Sequence, residues 1–222
     1  HSCGSAAFPN FRGGTSSPPQ AAKAVRTNSS ILHMTNFRDR AIQLLNEHIK
    51  NKNLVKHNLA AGALLKALAF HFGKNSEAEN WELAGLLHDL DWEKTEEDPN
   101  VHTSLTAKIL KENNFPLEVI EAIKRHNRAA GNPVPETLLE KVLYYTEEIT
   151  GLIVASTLIL PSKKIADLTV DSVLRRLKEK SFARGIDREL LKEMPNEISI
   201  SVEELISVAL KTMQGMSKEL GL

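Results

Sequence analysis

Four of the eight histidines fall on the apolar faces of predicted helices. His57 shares a face with Ala61 and Leu68, and His126 follows Ile123 by three residues. A single inward histidine is usually a core residue that is hydrogen-bonded to a backbone carbonyl. Several of them together are costly to bury unless something compensates their polarity. The four inward histidines are His57, His88, His102 and His126.

Two carboxylates belong with these imidazoles. Asp89 follows His88 directly at the end of the apolar segment Trp81–Leu90, and Glu147 lies on the same side of a later helix as Leu143. Neutral imidazole and ionised carboxylate are good ligands for Zn, Fe, Mn, Ni and Co. Adjacent residues on a helix point about 100° apart, so His88 and Asp89 can hold one ion only where the helix ends. The sequence therefore predicts a divalent metal centre.

The ordered pattern of these six residues resembles the HD superfamily of metal-dependent phosphohydrolases. Ala84-Gly-Leu-Leu-His-Asp89 is close to that family's signature, and Glu147-Glu-Ile-Thr-Gly-Leu152 resembles the segment that carries its last acidic ligand. The resemblance covers Val55–Leu160. It implies an all-α catalytic core, a metal at the centre of that core, and phosphoester substrates.

The resemblance also implies how the ligands are shared between ions. The first metal would be held by His57, His88, Asp89 and Glu147. In binuclear members a second metal is added at the positions of His102 and His126, with Asp89 as the bridge; with one metal, these histidines would face the substrate phosphate. The sequence leaves open one or two ions, and leaves open Mn, Fe, Zn, Co, Ni or Mg. Glu147 departs from the family's usual aspartate by one methylene group.

Catalytic and substrate-binding residues follow from the same placement. Asp89 would act through the metal, and Asp91 would either accept a proton from the attacking water or form a helix-end hydrogen bond. Cationic side chains should neutralise a substrate phosphate. Arg125 and Arg128 flank His126, and Lys164 follows the long helix that carries Glu147. Each of these three is either a phosphate contact or an ordinary solvated residue.

The favoured function is hydrolysis of a phosphomonoester or phosphodiester, nucleotides included, by a metal-activated hydroxide. Two alternatives stay open. One is a di-iron oxygenase of the same superfamily, because the six-residue pattern also resembles those enzymes. The other is a non-catalytic, metal-stabilised module that binds a nucleotide or a protein.

Helical periodicity predicts the elements that position these residues, and the fold class is all-α: a compact HD-like helical bundle with extra C-terminal helices. Ile198–Val202 is the only strand candidate. One long helix is expected to begin near Pro135, since proline fits a first helical turn, and to end near Leu160. The remaining predicted helices are Asn36–Lys50, Leu54–Phe72, Trp81–Leu90, Thr103–Asn113, Leu117–His126, Val170–Lys180, Asp187–Glu193 and Val202–Leu220.

Domain organisation and composition set the remaining expectations. Residues 1–33 lack periodicity and are interpreted as a leader or tag-like tail before a native start at Met34, or else as a tail that docks on a partner. Residues 34–222 are expected to form a single domain with its HD core at about residues 55–160. The formal net charge is zero, so neither nucleic acid nor a membrane surface is indicated as a partner. A small-molecule phosphoester is the expected partner, and self-association is not decided.

The single cysteine, Cys3, allows no internal disulfide, which fits a reducing compartment. No apolar run approaches the length of about 20 residues that spans a membrane, and no signal-peptide core is apparent. The expected location is cytoplasmic.

Overall fold

The computed structural model describes residues 36–222, which consist of helices and their connections and contain no β-strand. The tail proposed for residues 1–33 lies outside the described residues. Two short 3-10 helices, Asn75–Glu77 and Ile165–Asp167, accompany the α-helices. The α-helices are α1 (Phe37–His48), α2 (Lys52–His71), α3 (Ala78–Leu87), α4 (Trp92–Thr95), α5 (Ser104–Glu112), α6 (Leu117–His126), α7 (Leu138–Thr146), α8 (Glu148–Leu158), α9 (Val170–Lys178), α10 (Arg188–Ile198), α11 (Val202–Gly215) and α12 (Ser217–Leu220). The all-α prediction is confirmed.

Helices α2 and α3 are in direct backbone contact. A Cβ atom on Gly85 of α3 would lie 2.6 Å from the carbonyl carbon and oxygen of Ala61 on α2. Only a residue without a side chain allows this approach, which is much closer than ordinary helix packing. The contact brings the turn of α2 that carries His57 against the end of α3 that carries His88.

Helix α3 ends at Leu87, three residues before the predicted end. His88 keeps helical angles (φ −58°, ψ −38°), but the chain then turns and begins the short helix α4 at Trp92. The amide of Leu90 donates to the carbonyl oxygen of Leu87 at 3.2 Å, which closes a tight turn. The expected helix end at the His88–Asp89 pair is therefore present, and it lets the two side chains point to one region.

The long helix predicted to begin near Pro135 is two helices. Helix α7 begins after Thr137, whose side chain and that of Glu140 form a capping box, so Pro135 lies outside the helix. The helical hydrogen-bonding pattern is interrupted at Glu147, between α7 and α8, although its angles remain helical (φ −58°, ψ −40°). The amide of Thr150 reaches back only three residues, to the carbonyl oxygen of Glu147 at 3.4 Å.

The strand candidate Ile198–Val202 is wrong. Helix α10 continues to Ile198, beyond the predicted end at Glu193, and includes Pro195. Ser199 then takes a left-handed conformation (φ +55°), and Ser201 caps the start of α11. The alternating pattern that favoured a strand is a helix end followed by a helix start.

The buried apolar side chains form one core that the C-terminal helices share with the HD-like region. Leu65 and Leu68 of α2 and Ile153 of α8 belong to this core together with Leu205 and Met213 of α11. The helices beyond α8 therefore pack as part of the same unit. Across residues 36–222, no helix combines the length and the apolar character needed to cross a membrane.

Candidate metal centre

His57 and His88 meet across the contact between α2 and α3. Their Nε2 atoms are 3.1 Å apart. The Oδ2 atom of Asp89 lies 3.6 Å from Nε2 of His57 and 3.5 Å from Nε2 of His88. The ligand atoms of these three residues all lie within 4.8 Å of one another, which is the spacing of donors around one ion.

His102 and His126 form a second group with the same aspartate. Their Nε2 atoms are 3.3 Å apart, and the Oδ1 atom of Asp89 lies 3.3 Å from Nε2 of His102. These three residues also lie within 4.8 Å of one another. Asp89 therefore presents one oxygen to each pair of histidines, as a bridging carboxylate would.

Glu147 lies between the two groups. Its Oε2 atom is 3.5 Å from Nε2 of His88 and 3.7 Å from Nε2 of His126. This oxygen is buried and has no hydrogen-bond partner among the described residues. Burial, followed by repulsion from Asp89 and Glu148, raises the pKa of Glu147 well above its usual range. A buried, unpartnered carboxylate oxygen that faces imidazole nitrogens fits a cation, so the residues present suit a metal.

The opposite nitrogens of two rings are held by backbone carbonyls. Nδ1 of His88 donates to the carbonyl oxygen of Gly85 at 2.8 Å, and Nδ1 of His126 donates to that of Ile123 at 2.6 Å. In each case the acceptor is three residues earlier on the same helix. These bonds fix the tautomer that leaves Nε2 free to bind a metal.

The ring of His57 is held by Thr150, in the first turn of α8. The hydroxyl of Thr150 donates to the carbonyl oxygen of Glu147 at 3.0 Å. Since that hydroxyl has a single hydrogen, its oxygen accepts from Nδ1 of His57 at 3.1 Å. Thr150 thus connects the orientation of His57 to the backbone of Glu147.

Asp91 lies behind His102 and is 1% exposed. Its Oδ1 atom accepts from Nδ1 of His102 at 2.8 Å and from the amide of Thr103 at 3.1 Å. Its Oδ2 atom accepts from the amide of Thr106 at 3.0 Å. Both oxygens therefore accept hydrogen bonds, which favours the helix-end alternative.

The backbone at Thr103 is strained. Its φ of +75° is a left-handed conformation that β-branched residues rarely adopt. The hydrogen bond from its amide to Asp91 holds this conformation and places His102 at the start of α5. One carboxylate therefore orients both the ring and the backbone of His102.

The histidines differ in their protonation. Burial and the nearby His88 lower the pKa of His57 to about 4 and that of His126 to about 3. Both rings are therefore neutral at pH 7, and each has a nitrogen that can bind a metal. Burial opposes protonation of His102, but hydrogen bonds to Asp89 and Asp91 outweigh it and raise its pKa to about 9. Binding of a metal at His102 must therefore displace a proton.

All six predicted ligands thus converge, and their role as metal ligands stays a prediction.

The predicted phosphate contacts do not converge in the same way. Arg125 donates to the carbonyl oxygen of Val134 at 2.7 Å and lies near Glu136 and Glu140, so it ties the α6–α7 connection to α7. Lys164 follows the end of α8, whereas Glu147 precedes its start, and the helix between them is about 16 Å long.

Arg128 is exposed and lies two residues after His126. It donates to the carbonyl oxygen of Asn132 at 2.5 Å, within its own connecting loop. Of the three, it is the one whose position beside a predicted ligand remains compatible with a phosphate contact.

Two residues that contact the predicted ligands were not identified from the sequence. Thr150 follows Glu147 by three residues, a spacing that places both on one helical side and was a usable signal. Trp92 lies with its ring edge-on to His102, at 5.0 Å between ring centroids and an angle of 85°. No feature of the sequence separates Trp92 from an ordinary core aromatic residue.

Comparison with known proteins agrees with this geometry. The family model described as HD domain matches residues 54–156, a segment that runs from α2 into α8 and contains all six converging residues. Neither a curated protein nor a solved structure gives a significant match. Residues 54–156 therefore match an HD domain, in agreement with the resemblance of the six converging residues to the HD superfamily.

Proposed function

We propose that this protein is a metal-dependent phosphohydrolase that cleaves a phosphomonoester or phosphodiester. The observation that carries the proposal is that two groups of donors share Asp89 and leave four Nε2 atoms facing one space. A divalent cation held there supplies Lewis-acid chemistry, which suits attack of water on a phosphoryl group.

The protein's own residues would provide a rigid and polarised frame. Backbone carbonyls hold His88 and His126, and Thr150 and Asp91 hold the other two rings. Rings that are fixed in this way need no reorganisation when a cation binds. The sharing of Asp89 supports two ions, with His57 and His88 on one side and His102 and His126 on the other.

Charge neutralisation on the substrate would come from outside the donor set. We assign this part to Arg128, because it is exposed and directly follows the helix that ends in His126. The expected partner is a small-molecule phosphoester. A cytoplasmic location fits the proposal, since a single cysteine suits a reducing compartment.

The test is metal analysis coupled to a phosphoester panel. Wild-type protein is loaded with Mn, Co, Ni or Mg, and phosphate release is measured across monoesters and diesters. The matched control for His57→Ala is His71→Ala, since His71 lies on the same helix but outside the donor set. We expect His57→Ala to lose the ion of the first group and turnover, and His71→Ala to keep both ions and turnover.

Three results would replace the proposal. Bound iron with oxygen consumption and no phosphate release would select the di-iron oxygenase. Bound metal without turnover on any ester would select the binding module. Full turnover in the His57→Ala protein would remove this centre from catalysis altogether.

A further inference from the structure

A cavity of about 420 Å³ is lined in part by His57, one of the six predicted ligands. We name it the His57 cleft. Its walls are α2, α8 and residues Leu220–Leu222, and both His57 and Thr150 are among its lining residues. His57 therefore belongs to both sites: its Nε2 atom lies in the donor set, and the residue also lines the cleft. The volume is within the range of small-molecule sites, which is about 300–1,000 Å³.

The chemistry of the walls is mostly aliphatic. Val154 and Leu158 of α8 line the cleft together with Leu220 and Leu222. Lys56 is the only charged side chain among the described residues that line it, and no carboxylate side chain is among them. Apart from His57, these lining residues include no aromatic ring on which a nucleobase could stack. Such walls suit an apolar group far better than a base or a sugar rich in hydroxyls.

Gly151 supports the view that this space is kept open. A glycine inside a helix is destabilising relative to alanine. A Cβ atom at Gly151 would meet nothing within 4 Å, and the residue does not have a positive φ, so neither packing nor backbone conformation requires glycine there. The open space in question is the His57 cleft, which Gly151 lines.

On this basis, and resting on the phosphohydrolase proposal, we infer that the His57 cleft holds the alcohol part of the substrate and that this part is apolar. The substrate class is then a phosphoester of an alkyl or alicyclic alcohol, with its phosphoryl group at the donor set and its hydrocarbon between α2, α8 and Leu220–Leu222. This choice excludes the nucleotide substrates that the family resemblance left open.

The test measures binding without requiring turnover. Mn-loaded protein is titrated calorimetrically with methyl-, ethyl-, butyl- and hexylphosphonate, which resist hydrolysis. Burial of a methylene group is expected to tighten binding by about two- to fourfold per group. Gly151→Leu, which fills the cleft, should reduce the total gain in affinity from methyl- to hexylphosphonate to less than about twofold. Gly215→Leu is the matched control, because a Cβ atom at Gly215 also meets nothing within 4 Å and the residue does not line the cleft.

A second variant guards against misfolding of Gly151→Leu. Leu158 is 50% exposed, so Leu158→Ala should fold while weakening the dependence on chain length. If wild-type protein hydrolyses ethyl phosphate but its affinity does not rise with phosphonate chain length, the cleft assignment is overturned and the phosphohydrolase proposal stands. A steep series in protein that hydrolyses no phosphoester would overturn the phosphohydrolase proposal and keep the cleft as an apolar site. Tighter binding of adenosine monophosphate than of hexylphosphonate would overturn the apolar class.

Discussion

The Oδ1 atom of Asp91 lies 2.8 Å from Nδ1 of His102, on the side of the ring that faces away from the candidate metal centre. Burial opposes ionisation of Asp91, but hydrogen bonds from His102, Thr106 and Thr103 outweigh it and lower its pKa. The carboxylate therefore stays ionised and accepts three donors. It is a positioning residue for His102.

Replacement of Asp91 by asparagine tests this role. An amide group would turn a donor towards His102 or a backbone N–H, so one hydrogen bond is lost and Nε2 of His102 is no longer fixed. We expect metal affinity at the His102 group to fall by about 10- to 100-fold, as for other outer carboxylates. Metal titration by calorimetry measures it, and Asp98→Asn, in an exposed loop, is the control. Unchanged affinity would assign Asp91 to stability alone.

A substitution at Thr150 tests the role of its hydroxyl group alone. Thr150→Val keeps the shape of the side chain but removes the hydroxyl that accepts from His57, so the tautomer of His57 is no longer held. We expect a loss of about 10- to 100-fold in metal affinity, while Thr150→Ser keeps most of it. Equal affinity in the valine and serine variants would show that the hydroxyl does not matter.

Metal number is decided by His102 and His126. We expect two ions per wild-type chain and one ion in His102→Ala and in His126→Ala, because each variant removes a donor from the second group only. Elemental analysis after gel filtration gives the stoichiometry. One ion in all three proteins would rule out the binuclear arrangement and leave the two histidines as phosphate contacts.

The contact between α2 and α3 predicts a cost for any side chain at residue 85. A Cβ atom there would lie 2.6 Å from backbone atoms of Ala61, which cannot move as a flexible side chain would. We expect Gly85→Ala to lower the free energy of unfolding by about 2–3 kcal/mol. Urea denaturation measures this, and Gly215→Ala, with open space around its Cβ, should be neutral or slightly stabilising.

Glu147 should stabilise the metal complex at the expense of the metal-free fold. Its pKa in the folded protein is raised above the ordinary value of 4.5, so without metal its contribution to stability is complete below about pH 4.5 and is lost as pH rises through the raised pKa. We therefore expect Glu147→Gln to bind metal more weakly, yet to be more stable by about 1–2 kcal/mol in chelator at pH 7.

The same variant should show no gain in chelator at pH 4, where the wild-type carboxyl is protonated. Thermal unfolding at the two pH values measures the difference. Glu136→Gln is the control, because the side chain of Glu136 is 70% exposed. A wild-type protein that is the more stable of the two in chelator at pH 7 would contradict the view that Oε2 lacks a partner.

The convergence of the six side chains could be predicted, because their inward spacing is a local property and their order along the chain resembles that of a known family. The sequence was also sufficient for α6, whose bounds match the prediction, since Pro116 and Asn127 stop the periodicity at each end. The interruption at Glu147 could not be predicted, because its dihedral angles remain helical and only the hydrogen bonding changes.

Other features depend on contacts between distant parts of the chain. Asp91 gains its role only because Thr103 adopts a left-handed conformation that presents its amide, and nothing in the residue types requires this. The His57 cleft needs Leu220–Leu222 as a wall, and their distance along the chain from His57 carries no local signal. The alternation of apolar residues and serines at Ile198–Val202 wrongly favoured a strand, because serine is also a preferred helix cap.

The donors that surround Asp89 come from five separate elements, so any cation they share acts as a crosslink between α2, the end of α3, the start of α5, the end of α6 and the junction before α8. Ligand binding to the folded state alone raises its stability in proportion to the logarithm of ligand concentration. If these donors bind a metal, a chain with metal bound would resist proteases longer than a metal-free chain.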